Sequence, residues 1–223
     1  MKKIVFLLFL NSFSIFSQLS EKNALSWFDS VIGQENLEIN SGEKYIEKYR
    51  ALKGTYHFLF DDEINKAVIV YDGQTYFDIP LMYDVLDQNV IVKIASEIED
   101  YLLILNKEKL NNFTVKNRSF FNIIGQGICE KLSSYNKNVL YKKHSAKKSE
   151  FYHYGHIYNK FSDRKNYIIY YKTKYYNFES KKDLKKIFPT KKKVINKFYS
   201  KNKTLLKSSK DIFIKNLIKK IVI

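Results

Sequence analysis

At 223 residues, 45% hydrophobic and 16% aromatic, the chain is too apolar to be disordered, and with seven glycines and two prolines it is not a fibrous or low-complexity one. Its single cysteine excludes an intrachain disulfide framework, so an ordinary hydrophobic core has to hold the fold. The net charge of +16 is uneven: residues 137–223 hold 25 Lys and Arg against 5 Asp and Glu, residues 1–136 hold 14 against 18, and the C-terminal part is therefore suited to attract anions.

Lys2 and Lys3 precede an apolar run at residues 4–10 (IVFLLFL), and residues 11–18 (NSFSIFSQ) turn small and polar. That is the pattern of a secretory signal peptide, too short for a span of about 20 apolar residues. Cleavage is expected near Ser17, and no Cys stands there to take a lipid. The address predicted is periplasmic or secreted, with residues 1–17 removed. Roughly 200 residues then remain, enough for a real core.

Residues 18–53 are expected to form an N-terminal arm or short helix. Leu25, Phe28 and Ile32 recur at helical spacing, and Trp27, the sole tryptophan, is expected to pack against the domain. From residue 54 the period changes to two. Short runs rich in Val, Ile, Tyr and Phe, broken by turn residues, predict a meander of strands over residues 54–178. Asp72-Gly73 marks a tight hairpin, because Gly accepts the positive φ that such a turn requires. Residues 86–89 (LDQN) mark the next reversal. In the ICEKL run Cys129 is expected to be buried as a small hydrophobe. Residues 167–178 (NYIIYYKTKYYNF with Asn166) read as one more hairpin about Lys172-Thr173, where neither Gly nor Asn is present to ease the turn.

Residues 179–223 predict a basic subdomain of about three helices. Ser180 with Asp183 forms a capping-box pattern, Pro189 ends the first helix, Thr190 is placed to cap the second, and Ser208 with Asp211 repeats the capping pattern before the last. Leu184, Ile187 and Phe188, then Val194, Ile195 and Phe198, then Ile214, Leu217, Ile218 and Ile221 form apolar stripes expected to pack inward and leave Lys outside. The class predicted is α+β: an antiparallel β-rich body, a roll, barrel-like or sandwich, followed by this helical tail.

Two tracts extend the reading beyond pattern. Asp72, Gly73, Gln74, Tyr76, Asp78, Leu81, Tyr83 and Asp84 form one, and the Tyr-rich strands and Lys-rich helices of residues 175–203 form the other. Together they resemble a family of exported proteins of unknown activity common in Bacteroidetes, over residues 27–221. The resemblance implies a periplasmic or surface setting in a Gram-negative cell and carries no catalytic residue with it.

The chemistry-bearing residues are few. His153-x-x-His156, with His144 nearby, lacks a third and fourth ligand at recognisable spacing, so no metal is expected. No cofactor motif and no catalytic motif is present. Asp72, Asp78, Asp84 and Asp87 are read as turn and solvated-face residues, with a hydrolase of envelope polymers using them as the alternative. The function expected is non-enzymatic: capture of an envelope protein or anionic polymer through Lys191, Lys192 and Lys193, sharpened by Tyr170 and Tyr175. Export argues against nucleic acid as the partner. No transmembrane span is expected in the mature chain, and the basic last helix leaves peripheral membrane contact open.

Overall fold

The computed structural model describes residues 23–24, 38–96, 98–153 and 155–223. The signal peptide, its cleavage point, most of the N-terminal arm and Trp27 lie outside the described residues. The strands are β1 (Glu43–Lys44), β2 (Leu59–Asp62), β3 (Asn65–Tyr71), β4 (Gln74–Asp84), β5 (Asn89–Ile94), β6 (Tyr101–Ile104), β7 (Leu110–Val115), β8 (Arg118–Ile123), β9 (Gly127–Tyr135), β10 (Asn138–His153), β11 (His156–Tyr171) and β12 (Lys174–Phe178). Helices α1 (Lys181–Ile187), α2 (Lys192–Lys201), α3 (Lys203–Ser208) and α4 (Lys210–Val222) follow, with a 3-10 turn at Pro189–Lys191. Eleven strands share one antiparallel sheet in the order β1-β6-β5-β4-β3-β7-β8-β9-β10-β11-β12. The expected α+β chain, antiparallel body first and basic helices last, is what forms.

The described residues divide into two compact units, the first made of those up to residue 48 with 62–83 and 89–116, the second of 49–61, 84–88 and 117–223. The first owes its cohesion to inward residues of β3 to β7, with Ile69, Tyr71, Tyr76, Ile91, Val92 and Phe113 all buried. Tyr83 meets Phe113 edge to face, with ring centroids 5.5 Å apart. In the second, α1 to α4 pack on one face of the sheet. Leu140, Tyr167, Ile169 and Phe178 from the strands join Leu184, Phe188, Ile195, Phe213, Ile214, Leu217, Ile218 and Ile221 from the helices in one buried cluster. The apolar stripes thus face the sheet, including that of the last helix.

The hairpin at Asp72-Gly73 forms with both residues at positive φ, 49° and 78°. The reversal before β5 is held by Asp84, whose Oδ1 accepts from the Leu86 and Asp87 amides at 2.8 and 3.1 Å. Between Tyr76 and Ile79 the pairing slips: Ala67 faces Ile79 but Ile69 faces Tyr76, so β4 holds one extra residue, with Asp78 at φ 55° in the bulge. Strict alternation puts Tyr76 and Leu81 on opposite faces. The bulge reverses the phase, and both are 1% exposed.

The capping box at α1 is present: Ser180 Oγ accepts from the Asp183 amide at 3.2 Å and Asp183 Oδ2 accepts from the Ser180 amide at 3.0 Å. The other two caps differ from expectation. Thr190 lies inside the 3-10 turn that Pro189 starts, and α2 has no side-chain cap. The last helix begins after Ser209, not Ser208, and Asp211 caps nothing because it is engaged elsewhere. Asn202 interrupts what reads as one helix, giving α2 and α3 separately.

Lys172 and Thr173 turn the β11–β12 hairpin with φ of 48° and 66°. A β-branched residue is strained there, since its Cβ crowds the backbone in the left-handed region. Lys172→Asn with Thr173→Gly is expected to stabilise the protein by about 1 kcal/mol. A urea midpoint unchanged or lowered by the pair would mean that the turn is not strained.

Candidate functional site

Three features of the second unit gather polar or aromatic chemistry. The first is a buried ionic network between the sheet and α4. Arg118 on β8 donates from Nε and Nη2 to the two carboxylate oxygens of Glu130 on β9, both at 2.8 Å. The guanidinium also lies over the Phe60 and Phe120 rings, 5.1 and 5.4 Å from their centroids. His144 Nε2 on β10 is 2.7 Å from Glu130 Oε2 and 3.0 Å from Arg118 Nη2. A carboxylate can only accept, so the imidazole proton sits on Nε2 and the Arg118 contact is not itself a hydrogen bond.

Lys142 extends the network to the helix. Its Nζ is 3.9 Å from Glu130 Oε2 and donates to Asp211 Oδ2 at 2.5 Å, while Tyr167 Oη donates to Asp211 Oδ1 at 2.6 Å. Two cations face two carboxylates, and the charges cancel. Burial alone raises the Glu130 carboxyl, but hydrogen bonds from Arg118 and His144 outweigh it and hold it at about 2. Burial pushes His144 down and keeps it neutral, helped by the charges of Lys142 and Arg118 against the pull of Glu130. Burial and the Asp211 hydrogen bond both push the Tyr167 phenol up. Glu130 is thus ionised and His144 and Tyr167 are neutral near neutral pH. The network ties four strands to the last helix, which is the role of a clamp rather than of a proton-transfer site.

The second feature is the helical surface. Residues 179–223 hold fifteen lysines and three acids. Asp211 is committed to Lys142 and Tyr167, Asp183 closes the α1 cap, and none of the fifteen lysines forms a salt bridge among the described residues. Lys192 and Lys193 are exposed and Lys191 half-buried, at the 3-10 turn and the start of α2.

The third is the face of the sheet opposite α1 to α4. Tyr170 and Tyr175 are cross-strand partners whose rings lie 4.9 Å apart, and Tyr141 approaches Tyr175 at 6.4 Å. Neighbouring Tyr171 and Tyr176 belong to the helix-side cluster, and Tyr171 packs on Phe188 at 4.9 Å. Side chains alternate along a strand, so Tyr170 and Tyr175 face away from the helices. Lys191, Lys192 and Lys193 therefore do not share a surface with Tyr170 and Tyr175. Beneath these tyrosines, Cys129 is fully buried with Ile168, and burial pushes its thiol up to about 11.

Of the hairpin acids, Asp84 and Asp87 share one turn, the Asp87 amide donating to Asp84 Oδ1 at 3.1 Å, while Asp72 and Asp78 stand earlier in the chain. Asp72 is in the turn before β4, 3.9 Å from Lys109 Nζ; Asp78 is in the mid-strand bulge; Asp84, buried beside His57, closes the strand. The four histidines separate into buried His57 and His144 and exposed His153 and His156. Among the described residues no three or more His, Cys, Asp or Glu side chains are grouped to hold a metal ion. No helix among the described residues is long and apolar enough to cross a membrane.

The ionic network was open to sequence reading in one respect. Leu140, Lys142 and His144 share strand parity, so an inward Leu140 carries a Lys and a His inward with it. Asp211, 69 residues after Lys142, gave no such signal. Comparison of the chain with known families, with curated proteins and with solved structures found no match to any of them.

Proposed function

We propose that the protein is an exported, non-enzymatic envelope component that binds an anionic partner, an acidic protein surface or a polyanion, through the lysines of its C-terminal helices. The observation that carries this reading is the unpaired positive charge of residues 179–223: fifteen lysines whose only acidic neighbours in sequence are three, two of them already engaged. Lysine ammonium groups on exposed helix turns attract anions at long range, in proportion to their number and inversely to salt. The N-terminal pattern of residues 1–17 supports export, and the resemblance to exported Bacteroidetes proteins supports an envelope setting. Tyr170 and Tyr175, on the other face, take no part in this contact. For a hydrolase built on the hairpin acids, Asp84 and Asp87 are the neighbouring pair, but Asp84 is buried and its Oδ1 is taken by the Leu86 and Asp87 amides.

Binding to inorganic polyphosphate as a generic polyanion tests the reading. Reversing Lys191, Lys192 and Lys193 to Glu is expected to weaken binding by about tenfold or more at low salt, with the effect shrinking as salt rises. The unfolding midpoint should stay close to where it is, since Lys192 and Lys193 are exposed and Lys191 forms no salt bridge among the described residues. Tyr170→Ala should leave binding unchanged. Equal binding by the triple variant and the wild type at low salt would overturn the assignment.

A further inference from the structure

Beyond Lys142 on β10 and Tyr167 on β11, the two strands continue as a pair, register intact, to His153 opposite His156. The chain has four histidines, and His57 and His144 are 2% and 4% exposed. The fold therefore places its two exposed imidazoles directly across from each other at the end of one ribbon. Directly opposed residues of an antiparallel pair project on the same face, with Cβ atoms about 4.5–5.5 Å apart. From that spacing two imidazole nitrogens can reach one ion at the usual metal–nitrogen distance of about 2.0–2.1 Å.

The next pair inward on that face is Phe151 and Tyr158, stacked with ring centroids 5.8 Å apart and planes at 25°. The His153 ring sits 6.3 Å from Phe151 and 6.2 Å from Tyr158, and Arg50 lies over Tyr158 at 4.7 Å. These rings hold the ribbon end in register and limit the orientations open to His153. Further in, the same face carries Ser149 and Lys160, while Glu150 and Asp163 fall on the other parity. Among the described residues of the ribbon, no carboxylate shares the face of the pair.

We propose that His153 and His156 form a surface chelate for a divalent transition-metal cation of borderline softness, such as Cu2+, Ni2+ or Zn2+. Water completes the coordination. Neutral imidazole suits these ions, whereas Ca2+ and Mg2+ require oxygen ligands that an imidazole pair does not supply. The site is independent of the lysine surface, and either assignment can fail without the other.

Cu2+ alone, titrated into the full chain in a non-coordinating buffer, tests the site by electron paramagnetic resonance. The expected result is one ion per chain with a nitrogen hyperfine pattern from two imidazoles. His153→Asn and His156→Asn are each expected to lower affinity by about tenfold or more, and the double variant to remove the nitrogen signature. Both residues are exposed, so these variants fold, which circular dichroism checks. An excess of Ca2+ should not compete. A double variant that keeps the wild-type signal and affinity, or a wild type that shows no two-nitrogen species, would overturn the proposal.

Discussion

Glu130→Ala is expected to lower the free energy of unfolding by about 3–5 kcal/mol, read as a fall in the urea midpoint. Glu130 is the shared acceptor for Arg118 and His144 and stands beside Lys142. Removing it leaves Lys142 buried and Arg118 half-buried without their shared carboxylate, with Asp211 as the remaining one in the network. Glu130→Gln keeps the volume and part of the hydrogen bonding, and should cost less. The same residue sets the acid limit of the protein. Its folded pKa of about 2 lies below its ordinary 4.5, so the unfolded chain takes the proton first. The stabilisation is full above pH 4.5 and drains as pH falls towards 2, by about 3 kcal/mol in all. His144 acts in the same direction from higher pH: its folded pKa is below 6.5, so protonation also favours the unfolded chain as pH falls below that value. Wild-type stability should thus begin to decline below pH 6.5 and fall further below 4.5, while Glu130→Gln gives a flatter curve in the lower range. Parallel curves would show that Glu130 is not the group that titrates.

The second large effect is expected at Phe213. Its ring is fully buried on α4, 5.1 Å from Phe198 and 4.8 Å from Tyr199, both edge to face. It therefore fastens the last helix to α2 as well as to the sheet. Truncation to Ala removes the ring's own transfer energy and leaves a hole lined by two aromatic edges that cannot collapse far. The cost expected is about 3–5 kcal/mol. Phe213→Leu, which refills part of the volume, should cost clearly less, and equal losses for the two variants would mean that the helix is released altogether. A loss below about 1 kcal/mol for Ala would contradict the packing described.

What sequence could reveal of this molecule is decided by the range of each interaction. Asp72-Gly73, the LDQN reversal and the Ser180–Asp183 box are complete within four residues, and all three form as read. The helix stripes are nearly as local, and they fix which face is buried. Asp211 shows the converse: three residues after Ser208 it mimics a cap, yet its partners are Lys142 and Tyr167, 69 and 44 residues away. The length of β10 and β11 was hidden differently. Residues 145–150 (SAKKSE) lack alternation because both faces of that stretch are largely exposed, and periodicity reports burial rather than backbone conformation. The facing of His153 and His156 follows from that hidden register. Tyr170 and Tyr175 were placed correctly as a hairpin pair, but nothing in a one-dimensional pattern tells which side of a sheet a later helix will cover.

The order of strands in the second unit also bears on how the chain reaches its final state. From β8 to β12 every strand lies beside the one before it in sequence, so each pairing closes only a short turn and little chain entropy opposes it. Such a sheet can grow hairpin by hairpin, in the direction in which a chain emerges from a ribosome or a translocation channel. Ties of longer range include Lys142 to Asp211, across 69 residues, and Tyr135 to the Lys215 carbonyl, across 80, and both wait for the C-terminal helix. Until that helix docks, Arg118, Glu130, Lys142 and His144 remain wet, and their dehydration falls at the end of folding rather than at its start. A chain whose last turn is missing or delayed would then be held as a formed sheet with an open charged face, and the final helix would act as the latch that commits it.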